Sequence, residues 1–382
     1  MKICVFFAGT GSDTTRRKFE YREWVNKFTQ KDYLSTAIDG VGTGETKLKN
    51  KYKSLTGKGW ANKVQEGFDY VDNRLNNDIV LDNNPVIVSI GHSRGGVEAV
   101  VFANCVAKAY PLARQIVIAL DPVPGGLTGT TTSFEMSPNR NVLGRAWGTI
   151  TGGRSRDRLR EKHQLSHEAW KEVPSQVVVY CSLICQWHSR QRNTSGFTPQ
   201  MQSRGTLKFS GHTRHFEWAI PGDHTDVVAF GVDPKPQDRV LKRGAVHTKV
   251  DHRQLRRIIV EDMIDYALQK ADLGAVFCHP PTDVLRNYNA VAEADLKGDQ
   301  AGKQTGFSFT KNARTGAVRG GNINERWNQG SREHFSFVRP LSWNLKGFVN
   351  ERHFEIANSQ LKLHNQEAFD FFEHIIVPNN TH

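Results

Sequence analysis

The sequence predicts an α/β fold: a mostly parallel sheet with helices on both faces, plus insertions and a C-terminal extension. Two observations carry this. Short apolar runs at Lys2–Phe7, Val86–Ile90 and Gln115–Leu120 read as buried strands, too short and too β-branched for helices. Among these strands lie stretches with apolar residues every three or four positions, and strands alternating with helices imply a parallel sheet. A chain of 382 residues can bury a substantial core as one large domain with insertions, or as two.

Taken in order, Lys2–Phe7 runs into Ala8-Gly9-Thr10-Gly11-Ser12-Asp13. A Gly-rich loop after a first strand can present backbone N–H groups to an anion. It lacks the Lys-Ser/Thr ending of a phosphate loop, which disfavours nucleotide binding. An oxyanion-hole loop and a simple tight turn remain. Arg16–Asp32 is charged and aromatic, without clear ends. Tyr33–Asp39 leads into a second Gly-rich loop, Gly40-Val41-Gly42-Thr43-Gly44, and then into basic Lys47–Lys58. Trp60, Val64, Phe68, Val71 and Leu75 describe an amphipathic helix packed on the sheet.

The centre of the pattern is Val86–Ile90, then Gly91-His92-Ser93-Arg94-Gly95-Gly96, then Val97, Val100, Val101, Asn104, Cys105 and Lys108 at helical spacing. Strand, G-x-S-x-G, helix is the context of a nucleophile elbow. A serine at so tight a turn is held in a strained conformation, and the glycines two before and two after let strand and helix approach. The bland alternative is a strand-to-helix turn with a capping serine.

Gln115–Leu120 ends at Asp121-Pro122-Val123-Pro124. Leu127–Ser175 is polar and reads as an excursion from the core. Gln176–Ile184 and Thr213–Ile220 return to strand pattern, separated by an Arg/Gln/Ser loop at Ser189–Gly205. Leu255, Ile258, Ile259, Met263, Tyr266 and Ala267 mark a long helix. Lys297–Glu333, rich in Gly, Asn, Lys and Arg, is the candidate for a mobile lid or disordered loop, and Phe335–Ile376 is apolar enough to fold back. These features divide the chain into a domain over 1–270, with an insertion at 127–175, and a C-terminal extension over 271–382.

Composition narrows the partners. Formal net charge is +12, which favours anionic partners such as acidic lipid surfaces, and no nucleic-acid-binding module is recognisable. A merely soluble basic surface explains the charge equally well. No apolar run is long enough to span a membrane, and Met1–Phe7 is too short for a signal peptide. Five scattered cysteines fit a reducing compartment without structural disulfides. Cys181 and Cys185 lack a second pair at zinc-site spacing.

If Ser93 is a nucleophile, it needs a base and an orienting acid at the same sheet edge. Asp121 follows after one helix and one strand, where catalytic groups gather in open α/β sheets. A cap or Asx turn ahead of Pro122 is its alternative reading. Among 15 histidines, His224 stands in a Gly-containing loop at a strand end, after both other candidates. His212 and His215 with Asp223 or Asp226 form a weaker metal-site alternative. His188, His247, His252 and His279 read as surface or structural histidines.

Together these motifs resemble the DUF2235 family of α/β-hydrolases, which includes lipase effectors of type VI secretion. Phe6-Phe7-Ala8-Gly9-Thr10-Gly11 is similar to its F-F-D-G-T-G opening, with Ala8 where the family has Asp. Gly40-Val41-Gly42-Thr43 resembles its G-V-G-T element, and Gly91-His92-Ser93-Arg94-Gly95-Gly96 its elbow. Asp121-Pro122-Val123 stands where the family has D-T-V. Arg190-Gln191-Arg192 with Phe197 and Pro199 resembles its D-E-R-R…F-x-P segment, and Pro221-Gly222-Asp223-His224-Thr225-Asp226-Val227 its P-G-x-H-S-D-V. The resemblance covers residues 1–230. It implies an α/β-hydrolase-like serine esterase, with Ser93 as nucleophile, Asp121 as acid and His224 as base. Oxyanion donors would come from Arg94 and the Gly9-Thr10 loop, within an elbow framed by Gly91, His92 and Gly95. The implied substrate is the acyl ester of a glycerophospholipid at a membrane surface. A toxic effector exported by a specialised secretion system, with a secretion-apparatus or immunity partner, is the implied setting. No metal or organic cofactor and no nucleic acid is expected. A hydrolase or acyltransferase for soluble esters, or a non-catalytic binding protein on the same fold, are the alternatives.

Overall fold

The computed structural model describes residues 1–15, 20–43, 59–77, 84–124, 153–185, 207–209, 213–220, 224, 227–228, 252–278, 310–311 and 318–319. Several expectations lie outside these residues: the basic run 47–58, the first part of the 127–175 insertion, Arg190–Pro199, His212, Asp223, Asp226 and most of 297–382.

Apolar β-branched runs form the strands, as their composition requires. The chain runs β1 (Lys2–Phe7), α1 (Tyr21–Thr29), β2 (Tyr33–Ile38), α2 (Trp60–Asn77), β3 (Val86–His92), α3 (Arg94–Ala109) and β4 (Arg114–Leu120). It continues through α4 (Gly153–His163), β5 (Glu172–Val173), β6 (Val177–Cys185), β7 (Lys208–Phe209), β8 (Arg214–Ile220) and α5 (His252–Lys270). Two short strands, β9 (Thr310–Lys311) and β10 (Val318–Arg319), pair antiparallel inside the stretch expected to be a lid.

Six strands make one sheet in the order β2-β1-β3-β4-β6-β8. The pairs β1–β2, β1–β3 and β3–β4 are parallel. After β2 the chain crosses to the other side of β1, so the order reverses between β1 and β3. That is a topological switch point, where the loops leaving two neighbouring strands diverge and open a crevice. In register, Phe7 faces Ile38 and Gly91, and His92 faces Leu120. The residues that follow therefore emerge along one sheet edge: Gly9 after β1, Ser93 after β3 and Asp121 after β4.

Both faces of the sheet are covered. Adjacent strand residues point to opposite faces. Phe6 packs on Trp24 and Phe28 of α1, at ring-centroid distances of 6.2 and 5.3 Å. Its neighbour Phe7 packs on Phe102 of α3, at 5.3 Å. So α1 and α3 lie on opposite faces. On the α3 side a single core joins Ile3, Val5 and Phe7 to Val64, Phe68 and Val71 of α2 and to the Val97–Val106 stretch of α3.

The sequence left α1 without ends, and the structure shows why. Its N-cap is Glu20, which makes no side-chain cap hydrogen bond, and its buried residues are the widely spaced aromatics Tyr21, Trp24 and Phe28. Within 127–175, the residues from Gly153 onward are not an excursion. Leu159, Leu165, Ala169, Trp170 and Val173 lie in the α3-side core. Asn104 of α3 ties this segment down, its side-chain amide donating to the carbonyls of Ala169 (3.0 Å) and Glu172 (2.6 Å).

The chain divides into two compact units that interleave along the sequence, where the sequence reading has one division at 270. The first takes residues 1–182, 199–215 and 265–276; the second takes 183–198, 216–264 and 277–382. In the first, Asp265 accepts the Val276 N–H at 2.6 Å, and Arg114 of β4 donates to the Ala271 carbonyl. In the second, Arg257 and the buried Glu261 pair at 2.9 Å.

Candidate active site

Ser93 stands at the tip between β3 and α3, with φ 57° and ψ −123°, a region that costs a non-glycine residue about 1–3 kcal/mol. Its surroundings hold it there. The Ser93 N–H donates to the Leu120 carbonyl at 2.9 Å, and the Ser93 carbonyl accepts from Val123 at 3.0 Å and from Gly96 at 3.1 Å. The turn is thus stitched to both ends of the loop that carries Asp121. Ser93 is 8% exposed.

Glycine is required on either side of the serine. A Cβ on Gly91 would run into the backbone of Gly95, and one on Gly95 into the Phe7 carbonyl. Both spacings quoted from the sequence are therefore close-approach constraints, and Gly95 brings the start of α3 against the end of β1.

Asp121 is fully buried and also has a positive φ, 43°. Two backbone bonds, Ser93 to Leu120 and Val123 to Ser93, bracket it, so the elbow and Asp121 belong to one structural unit. Pro122 packs close to Gly96, where a Cβ would lie 2.9 Å from the proline Cβ.

The loop after β1 lies against the elbow. A Cβ built on Gly9 would sit 2.6 Å from Nδ1 of His92 and 3.2 Å from the Ser93 Cβ. His92 is buried, so the loop covers it. Most amides of this loop are already used. Ala8 donates to Ile38 (3.0 Å), Gly11 to Val41 (2.9 Å) and Ser12 to Gly9 (2.9 Å). Gly9 itself donates to the Tyr21 hydroxyl at 3.3 Å. Burial pushes that phenol well above its ordinary range, so Tyr21 remains a neutral anchor. Thr10, half-buried, is the amide of this run with no protein partner among the described residues.

Arg94 begins α3, whose first amides have no intrahelical acceptor. Its side chain is buried, and burial pulls the guanidinium below its ordinary range while Glu98 opposes that shift. Glu98 is a residue the sequence reading passed over. It is 1% exposed, and both carboxylate oxygens lack a hydrogen-bond partner among the described residues. The available signal was a lone carboxylate inside the apolar run Val97–Val106.

The first unit thus brings together Ser93, Asp121, Arg94, Gly9 and Thr10, framed by Gly91, His92 and Gly95. His224 is a buried residue of the second unit, on the segment after β8. His163 is also buried, against the Phe68 ring and 3.1 Å from Gln65 Oε1, a structural setting. His215 stacks on Phe209. Among the described residues no three His, Cys, Asp or Glu side chains gather as a metal site, and no helix is long and apolar enough to cross a membrane. Cys4, Cys105 and Cys181 are free and buried, and Cys278 is exposed.

No protein-family model and no curated protein matches the chain in sequence. Among solved structures, it is similar to RedJ, a thioesterase from the prodiginine biosynthetic pathway in Streptomyces coelicolor. Identity is 15%, over 63% of this chain and 87% of that one, at a TM-score of 0.30. Est1E from Butyrivibrio proteoclasticus, solved with ferulic acid, is 13% identical over 71% and 90%, at 0.33. A monoacylglycerol lipase from Paleococcus ferrophilus is 15% identical over 69% and 93%, at 0.33. At this level of likeness the assignment rests on the chain's own features. Strand order, parallel registers, helices on both faces and a strained serine between β3 and α3 together make an α/β-hydrolase fold.

Proposed function

We propose that this chain is a serine ester hydrolase. The observation that carries the reading is the Ser93 backbone at φ 57° and ψ −123° on a glycine-framed turn. Nothing in the packing of a simple helix cap calls for that strain, and Ser93 makes no side-chain cap bond within α3. Strain of this kind persists where it aims a reactive group.

Ser93 Oγ attacks the ester carbonyl carbon while His224 takes its proton. Asp121 orients the imidazole and offsets its transient charge. The tetrahedral oxyanion is held by the Arg94 amide at the start of α3 and by the Thr10 amide, each worth about 3 kcal/mol. Thr10 is preferred to Gly9 because the Gly9 N–H is already engaged by Tyr21. Collapse expels the alcohol, which leaves with the proton from His224. Water, deprotonated by the same imidazole, then hydrolyses the acyl-serine and returns the carboxylic acid.

For the substrate we propose acyl esters of glycerophospholipids. The motif-by-motif resemblance to phospholipase-containing effectors supports this, as does a net charge of +12, which favours adsorption on anionic lipid. An exported effector with a cognate partner belongs to the same reading. The test is incubation of purified protein with mixed phospholipid vesicles, reading free fatty acid and lysolipid by mass spectrometry, beside Ser93→Ala. Release by the wild type alone is the expected result. Equal release by both proteins, or none with phospholipids or soluble esters, overturns the reading. Hydrolysis of soluble esters only would identify a non-interfacial esterase instead.

A further inference from the structure

The residue the proposed mechanism does not use is Glu98, on the second turn of the helix that Ser93 caps. A buried carboxyl without a hydrogen bond is expensive, and both oxygens of Glu98 are in that state. Arg94, one helical turn earlier, is also buried. The spacing i, i+4 sets both on one side of α3. On α2, Lys63 and Glu66 are paired at 3.0 Å, the first partly exposed and the second exposed, and both act electrostatically on the same carboxyl. Helix α4, which also packs on α3, carries Arg154, Arg156, Arg158, Arg160 and Lys162.

We propose that Glu98 is a positioning residue for the oxyanion-binding end of α3, acting through Arg94. As a neutral carboxylic acid it leaves the positive end of the helix intact; as a carboxylate it opposes it. The inference rests on the serine-hydrolase reading of the site.

The physical argument is one of sign. The amides at the start of α3 carry positive partial charge, and an anion developing there is stabilised by it. A full negative charge on the next turn, in a low-dielectric core, cancels part of that potential and draws the Arg94 guanidinium toward itself. Burial pushes the Glu98 carboxyl up to about 8, with Arg94 and Lys63 pulling it down and Glu66 adding to the rise. The switch between the two forms therefore falls near neutrality, on the alkaline side.

The experiment uses the full chain with two probes, p-nitrophenyl butyrate turnover and Ser93 labelling by an alkyl fluorophosphonate, each measured from about pH 6 to about pH 10. In the wild type, kcat and labelling rate fall about three- to thirtyfold above the Glu98 transition. In Glu98→Gln, which keeps the shape and removes the charge, that alkaline fall disappears while KM is little changed. Lys63→Gln leaves Glu98 in place, removes a cation that favours its ionised form, and moves the fall to higher pH. Should Glu98→Gln fold poorly, the Lys63→Gln shift decides alone. An alkaline fall identical in wild type and both variants overturns the inference, while Ser93 labelling still upholds the hydrolase. Failure to label Ser93 at any pH overturns the hydrolase reading itself, and this inference with it.

Discussion

At Ser93 the backbone carries a conformational cost at φ 57° and ψ −123°, which the proposed hydrolase reading explains as the aiming of one hydroxyl. Two substitutions separate aim from cost. Ser93→Ala keeps the strained backbone and removes the proposed nucleophile, so on that reading ester hydrolysis falls by at least about 10³-fold with little change in stability. Ser93→Gly also loses activity but releases the strain at φ 57°. After the entropy that glycine adds to the unfolded chain, urea unfolding should show a gain of about 1 kcal/mol. Glu98 is the second residue where stability and function pull apart. Its carboxyl titrates near 4.5 in the unfolded chain and about 8 in the folded one. Between those values the folded protein binds the extra proton, so stability is complete below about pH 4.5, declines through the window and levels off above about 8. The slope is at most about 1.4 kcal/mol per pH unit. Glu98→Gln should flatten that decline in urea melts recorded from about pH 5 to about pH 8.

Among the elements, α3 is the pivot. It carries the elbow at its first residue, packs Phe102 on Phe7, and holds the 153–173 segment through Asn104. The Asn104 amide also reaches the Val100 carbonyl at 3.0 Å, so three acceptors share its two hydrogens. Asn104→Ala leaves the Ala169 and Glu172 carbonyls without that donor. Thermal or urea unfolding should record a loss of about 2–3 kcal/mol. Activity measured well below the melting range should change far less, because the variant loosens the far end of α3 and not its first turn. Most strands and the helices α2, α3 and α5 were readable from period and composition, since a buried strand or an amphipathic helix writes its own spacing. α1 was not, because its three buried aromatics lack a capping residue to mark the start. The helix α4 and the core residues after it were hidden by composition: Leu159, Leu165 and Trp170 are sparse among charged neighbours.

For the whole molecule, charge is the property with the clearest consequence. With 51 Lys and Arg against 39 Asp and Glu, adsorption on anionic vesicles should be electrostatic. Raising salt from about 0.1 M to about 1 M shortens the screening length from about 10 Å to about 3 Å. Vesicle co-sedimentation and phospholipid turnover should then drop together by about tenfold or more. Turnover of a small neutral ester should hold constant. Equal losses on both substrates would assign the salt effect to the site and not to the surface.

The sequence by itself determined the α/β class, the strands at both flanks of the elbow, and Ser93 and Asp121 as residues ending neighbouring strands. Each of these follows from periodicity or turn chemistry within about 30 residues of chain. Only the tertiary structure decided that β1 lies between β2 and β3, that the Gly9 loop therefore presses on His92 and Ser93, and that Tyr21 occupies the Gly9 amide. It also decided that Glu98 is sealed in the core without a donor. These facts depend on which distant segments meet, and a hydrogen bond or a lost hydration shell exists only once they have met.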